Sequence, residues 1–331
     1  MKVAVIGAGS WGTTFAKVLA DSGNQVTLYS RRPEIASEIN QHRRNSDYLP
    51  GINLPESIVA TAGLEEALSG AEQIYLAVPS NTLREFLKQA QGLLGDALLV
   101  SLMKGLESET QMRMSEVIAE QSGVDRSRIV VVSGPNLALE IAQQQPAASV
   151  AACSDIDNAM EVAKAASNEY FTVFANQDVI GTELGGVLKN LIALALGIVS
   201  GAGHGQNTKA SILTRGLSEI TRFAVVLGAS RKTMYGLAGL GDLVATGESA
   251  LSRNHRAGEM LGKGYSKREV MKLMSQTAEG LNSVSPVLAL ASEKNLSLPI
   301  IEQLNLVIEG NMPVQDFGNQ LTHETEEAEI E

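Results

Sequence analysis

The sequence predicts an α/β chain: a doubly wound sheet over residues 1–177, followed by an all-helical domain over residues 178–320. Three observations carry this expectation. Short apolar runs alternate with helical periodicity from the first residues to about residue 175. A glycine-rich turn, Gly7-Ala8-Gly9-Ser10-Trp11-Gly12, joins the first apolar run to the first helical stretch. Beyond Asp178 the strand pattern stops and only helical periodicity remains.

The run Lys2-Val3-Ala4-Val5-Ile6 reads as a buried strand. The turn after it has the G-x-G-x-x-G spacing of a Rossmann strand-to-helix junction. Gly7 permits the tight turn, Gly9 lets backbone approach a pyrophosphate, and Gly12 lets the helix pack close to the strand. Ser10 and Trp11 open that helix, whose N-terminus offers N–H donors and a positive dipole end to an anion. Residues 13–22 are amphipathic, and Gly23 stands where a helix stops. Gln25-Val26-Thr27-Leu28-Tyr29-Ser30 is the second strand. After it, NAD sites usually carry an acidic residue for the ribose hydroxyls, whereas this chain has Ser30-Arg31-Arg32. The triplet holds no carboxylate, and Arg31 and Arg32 could pair with a 2′-phosphate. NADP(H) is therefore favoured and NAD(H) remains open. The plainer readings are a ligand-free glycine turn and two solvated arginines at a helix start.

Further strands are expected at residues 73–77, 97–101, 128–132, 149–152 and 170–174, with helices from about Thr82 and around residues 111–121. Such spacing indicates a parallel sheet covered on both faces. Ligands bind such sheets beyond the carboxyl ends of the strands. Pro79, Lys104 and the segment Ser133-Gly134-Pro135-Asn136 fall there. In the second half, Val179–Gly201 is one long helical pattern, and residues 208–228 are another. Shorter helices are expected near residues 256–261, 267–274, 285–293 and 300–309. The tail, residues 321–331, is acidic and expected to be disordered.

The 331 residues are 44 % hydrophobic, enough for two domains with sizeable cores. No uninterrupted apolar run approaches the ~20 residues of a membrane span, since Lys189 and Asn190 break the best candidate. The first strand begins at once, leaving no room for a signal peptide. Cys153 is the lone cysteine, so no disulfide can form within the chain. These features point to the cytoplasm. A net charge of −11 argues against generic nucleic-acid binding. The four histidines show no metal-ligand spacing, so no metal is expected. A small molecule is the expected partner, with a homodimer left open.

Lys189 is the sharpest chemical candidate. It lies in Gly185-Gly186-Val187-Leu188-Lys189-Asn190, where Gly185, Lys189, Ala193 and Gly197 share a helix face nearly bare of bulk. Two glycines cost a helix about 1–2 kcal/mol, which suggests that something approaches closely. A lysine there can serve as a general acid, or it can snorkel along a helix seam. Asp242, in the expected glycine-rich turn Ala238-Gly239-Leu240-Gly241-Asp242, reads as an orienting carboxylate or as a simple cap. Ser252-Arg253-Asn254 reads as a phosphate cradle or as a solvated basic cap. Lys104 reads as a phosphate or carbonyl partner or as a surface lysine. Together a dinucleotide, a general-acid lysine and a basic pocket fit reduction of a small phosphorylated ketone.

These residues resemble the bacterial NAD(P)-dependent glycerol-3-phosphate dehydrogenases over about residues 2–312. The resemblance rests on GAGSWGT at the start, MKGLE at 103–107, SGPN at 133–136, GGVLKN at 185–190, NTKASILTRGLSE at 207–219, AGLGDLVAT at 238–246 and SRN at 252–254. It implies a Rossmann domain followed by a helical domain of the 6-phosphogluconate dehydrogenase C-terminal type. It also implies interconversion of dihydroxyacetone phosphate and sn-glycerol 3-phosphate for glycerophospholipid synthesis. On that resemblance Lys189 matches the general acid/base. Lys104, Gly134, Asn136, Asp242, Ser252, Arg253 and Asn254 match substrate positions. Ser10, Trp11, Arg31, Arg32, Lys104, Ala138, Arg253 and Glu279 match cofactor positions. The chain departs from the family at Asn136, where Ser or Thr is common, and at Leu139, where a basic residue is common. Gly247 stands for a common cysteine and His255 for a common arginine. Ketopantoate reductases and β-hydroxyacid dehydrogenases share the architecture and the lysine, but AGLGD and SRN fit them poorly. A non-catalytic NADP sensor would have no need of Lys189.

Overall fold

A computed structural model describes residues 1–249, 252–274 and 278–317. The expected acidic tail at 321–331 lies outside the described residues. Two compact units divide between Glu183 and Leu184, inside the helix Val179–Gly201 that begins near the expected boundary.

The first unit runs β1 (Lys2–Ile6), α1 (Ser10–Asp21), β2 (Gln25–Tyr29), α2 (Pro33–His42), β3 (Ile58–Thr61), α3 (Leu64–Leu68), β4 (Gln73–Leu76) and α4 (Leu83–Gln89). It continues with β5 (Leu98–Ser101), α5 (Met114–Ser122), β6 (Ile129–Ser133), α6 (Ala138–Ala142), β7 (Ala147–Ala152), α7 (Ile156–Ala166) and β8 (Phe171–Asn176). The strands form one sheet in the order β3-β2-β1-β4-β5-β6-β7-β8. Alternate side chains of the central strands β1, β4 and β5 enter opposite cores. Val3, Val5, Tyr75 and Val100 pack under α1 and α7 with Phe15 and Phe171. Ala4, Ile6, Ile74, Leu76 and Leu99 pack under α4 and α5 with Leu83, Phe86 and Met114. This two-faced burial is the doubly wound arrangement. The strand order reverses between β1 and β4, so the ligand crevice is expected at their carboxyl ends, where the Gly7 turn lies.

The sheet is not wholly parallel, which corrects the sequence expectation. β7 runs antiparallel to β6, with Ser133 opposite Val150, and β8 then runs parallel to β7. The α6 helix between β6 and β7 is only 5 residues long.

The second unit contains most of α8 (Val179–Gly201), then α9 (Gln206–Val226), α10 (Arg231–Met234), α11 (Asp242–Glu248), α12 (Arg253–Gly262), α13 (Lys267–Leu273), α14 (Glu279–Glu293) and α15 (Pro299–Ile308). Taken whole, α8 is long and apolar enough to cross a membrane, although Lys189 and Asn190 interrupt the apolar run of its second half. Its most apolar window is 89 % buried in the protein, as in a core helix. Its last two glycines, Gly197 and Gly201, pack against α12. A Cβ on Gly197 would lie 2.1 Å from the His255 carbonyl oxygen, and one on Gly258 would lie 2.1 Å from that of Leu194. What approaches the bare face is therefore the protein's own backbone.

Candidate active site

The dinucleotide turn is built by close contacts that glycine alone permits. Gly7 has φ +113°, and a Cβ there would lie 2.5 Å from the Ala77 carbonyl oxygen, while one on Gly12 would lie 1.9 Å from that of Gly7. At Gly9 a Cβ would meet nothing within 4 Å, leaving room above the helix start. α1 has no side-chain cap, and the Trp11 indole N–H is buried without a partner. An open approach at Gly9, an uncapped helix N-terminus and an unsatisfied donor fit a bound pyrophosphate. The loop after α2 is fastened to this turn. Asn45 donates to the Ala8 carbonyl at 2.9 Å and to Thr13 at 2.8 Å, and the Ser10 hydroxyl donates to the Tyr48 carbonyl at 2.7 Å.

The two arginines after β2 differ. Arg31 is exposed and makes no hydrogen bond or ion pair among the described residues. Arg32 donates from Nε to Glu34 at 2.7 Å and from Nη2 to Asp47 at 2.9 Å. The triplet carries no carboxylate, but the fold brings two to it from further along the chain.

Beyond the other strand ends, Lys104 Nζ donates to the Gly134 carbonyl at 2.9 Å. Gly134 has to be glycine, since a Cβ would lie 2.9 Å from the Ser149 Cα. Asn136 donates to the Ser149 hydroxyl at 3.2 Å, and its Oδ1 is buried without a partner. Ala138 opens α6, and its carbonyl accepts from Thr14 of α1 at 3.2 Å. Ala138 thus stands beside the helix that begins at the dinucleotide turn.

In the second unit, Lys189 is 6 % exposed and Asp242 1 % exposed. Lys189 Nζ donates to Asp242 Oδ1 at 2.8 Å and to Thr246 Oγ1 at 2.5 Å. Thr246 in turn donates to Asp242 Oδ1 at 3.2 Å. The carboxylate supplies the countercharge that a buried ammonium needs. Asp242 is not in a turn, as expected from its glycines. It is the first residue of α11, continuous with a π-helical turn, Leu237–Gly241. Gly185 makes this possible, because a Cβ there would lie 2.5 Å from the Ala238 carbonyl oxygen. The backbone before Asp242 therefore rests on α8, one turn before Lys189.

Ser252 caps α12, accepting from the His255 N–H at 3.2 Å. Arg253 is exposed at the first position of that helix. Asn254 is buried, donating to Asn190 Oδ1 at 2.8 Å and accepting from the Gly280 N–H at 2.9 Å. It ties the starts of α12 and α14 to the residue beside Lys189. Glu279 is the first residue of α14, so it stands next to Gly280 in the same tie. His255 lies 3.4 Å from the Ser200 hydroxyl, and burial lowers its pKa. Among the described residues no three His, Cys, Asp or Glu side chains converge as a metal site would require.

Sequence reasoning missed Thr246, Asn190, Asn45 and Asp47. Thr246 carried a signal, standing four residues after Asp242 on one helix face. Asn45 and Asp47 carried none, because only the folded loop brings them to the turn.

Residues 2–159 match the family described as NAD-dependent glycerol-3-phosphate dehydrogenase N-terminus, and residues 178–319 match its C-terminus. A glycerol-3-phosphate dehydrogenase (NAD(P)+) of Leifsonia xyli subsp. xyli is 56 % identical over 97 % of this chain and 88 % of its own length. One from Streptomyces griseus is 52 % identical over 95 % of this chain and 94 % of its own. The crystal structure of glycerol-3-phosphate dehydrogenase from Coxiella burnetii has a TM-score of 0.92 at 34 % identity, covering 98 % of this chain and 99 % of that one. A ketopantoate reductase from Ralstonia eutropha has a TM-score of 0.60 at 14 % identity, covering 98 % of this chain and 100 % of its own, a likeness of fold alone.

Proposed function

Because this chain belongs to the NAD-dependent glycerol-3-phosphate dehydrogenase family, we propose that it reduces dihydroxyacetone phosphate to sn-glycerol 3-phosphate with Lys189 as proton donor. The observation that carries the residue assignment is the buried Lys189–Asp242–Thr246 cluster. A reduced nicotinamide dinucleotide, when bound, supplies the hydride. Gly7, Gly9, Ser10, Trp11 and Gly12 hold its pyrophosphate, with Arg31 and Arg32 near the adenosine ribose. Lys189 Nζ gives a proton to the former carbonyl oxygen of the substrate, and Asp242 and Thr246 fix the direction of that N–H. Arg253, at an exposed helix start capped by Ser252, holds the substrate phosphate together with that helix's N-terminal N–H groups. Lys104, Gly134, Asn136, Asn254, Ala138 and Glu279 complete the substrate and cofactor contacts.

Supply of glycerol 3-phosphate to glycerophospholipid synthesis, a cytoplasmic location and assembly as a homodimer are part of the same proposal. The bacterial relatives support the first of these and the lone cysteine the second, while the homodimer is left open. The test is oxidation of NADPH or NADH by the purified protein, with dihydroxyacetone phosphate or ketopantoate as acceptor. Turnover only with dihydroxyacetone phosphate, yielding the sn-3 product, supports the assignment. No turnover with either cofactor, or preference for ketopantoate, overturns it.

A further inference from the structure

We propose that Glu34 and Asp47 set this enzyme's preference between NADPH and NADH, by holding Arg32 in a pair of ion bridges that a 2′-phosphate has to displace. The inference rests on the reading that the residues after β2 meet the adenosine ribose.

The argument starts from the charges. A dinucleotide bound on the Gly7–Gly12 turn places its adenosine ribose at the end of β2. Two arginines alone would present two positive charges to a 2′-phosphate. The fold instead adds two carboxylates to the same spot. Glu34 lies 2.7 Å from Arg32 Nε, and Asp47 lies 2.9 Å from Arg32 Nη2. The four side chains cancel in charge, and one guanidinium has its Nε and one terminal nitrogen already engaged.

The arrangement is built into the fold. Arg32 is the N-cap residue of α2, and Glu34 follows in its first turn. Asp47 belongs to the loop that Asn45, fully buried, fastens to Ala8 and Thr13, and that Ser10 fastens at Tyr48. The loop that delivers Asp47 is therefore pinned to the turn that receives the pyrophosphate. A carboxylate so placed has two effects. It competes with a 2′-phosphate for Arg32, and it can accept from the free ribose hydroxyls of NADH. Arg31, which has no partner among the described residues, is then the readier cation for the 2′-phosphate. The result is a site that accepts both cofactors.

The test measures dissociation constants for NADPH and NADH, read from the fluorescence of Trp11, the chain's one tryptophan. Glu34→Gln and Asp47→Asn are each expected to shift the ratio toward NADPH by about threefold, and the double variant by about tenfold, as water-screened unit charges would. The shift shrinks as salt is raised. In the native background Arg31→Ala weakens NADPH binding more than Arg32→Ala does. Once both carboxylates are neutralised, the loss caused by Arg32→Ala grows. If the carboxylate variants leave the ratio unchanged while the arginine variants weaken NADPH binding, the proposal fails and the reading of the arginines stands. If the arginine variants also leave the ratio unchanged in both backgrounds, that reading fails and the proposal fails with it.

Discussion

Asp242 Oδ1 lies 2.8 Å from Lys189 Nζ, with both side chains almost wholly buried. The pair joins two helices far apart in sequence, and Thr246 bridges its members. Asp242→Asn keeps the shape and removes the countercharge. Breaking a buried pair on one side costs about 3–5 kcal/mol. The variant is therefore expected to unfold at markedly lower denaturant concentration and to lose at least ~10-fold in kcat. Denaturant titration and steady-state rates check this, and near-native values of both would contradict it.

The glycine seam makes a separate prediction. A methyl group on Gly197 would lie 2.1 Å from a carbonyl oxygen of α12, which cannot move aside as a side chain could. Gly197→Ala is expected to destabilise the protein by about 1–3 kcal/mol despite alanine's better helix propensity. At Gly9, where a methyl group would meet nothing, Gly9→Ala is expected to spare stability and weaken dinucleotide binding instead. Thermal melts and cofactor titrations of the two variants separate these effects.

A pH dependence follows from Glu219 on α9. Its carboxyl accepts from the Ile300 and Ile301 N–H groups at 2.9 and 3.1 Å, and burial pushes its pKa up to about 7 from 4.5. Between those values the folded chain keeps a proton that the unfolded chain has lost. The group's contribution is complete below the unfolded value, falls as pH rises, and is gone above about 7. The loss from this group amounts to roughly 3 kcal/mol between those limits. Glu219→Gln is expected to remove that slope. The check is the difference in unfolding free energy between native protein and variant at about pH 5 and about pH 8. A difference that does not change with pH would contradict the assignment.

Much of this was legible in the sequence where one short segment determines its own structure. Gly7-Ala8-Gly9-Ser10-Trp11-Gly12 dictates its turn, and β1, α1 and β2 stand where their apolar spacing places them. β3 was not anticipated, because Ile58–Thr61 is only 4 residues long and its pairing with β2 is what makes it a strand. The reversal at β7 is written in no single residue of that strand, whose small apolar residues suit either direction. Lys189 stood out as a charge among glycines, but its partner was obscured. The glycines before Asp242 suggest a turn, whereas Gly239 stands inside a π-helical turn, where a Cβ would lie 2.0 Å from the Met234 carbonyl oxygen. Of the carboxylates on Arg32, Glu34 stands two residues on in the sequence, whereas Asp47 was invisible because it reaches Arg32 only through the loop held by Asn45.

The proton-donor role of Lys189 is tested most directly by Lys189→Ala, measured for turnover with dihydroxyacetone phosphate and, separately, for NADPH binding. A donor within the reacting site contributes at least ~10² to kcat. The account predicts a fall in kcat of that size with NADPH affinity kept within about twofold of native. A variant that folds, binds NADPH and retains native kcat would contradict it and leave Lys189 a structural residue of the α8–α11 contact.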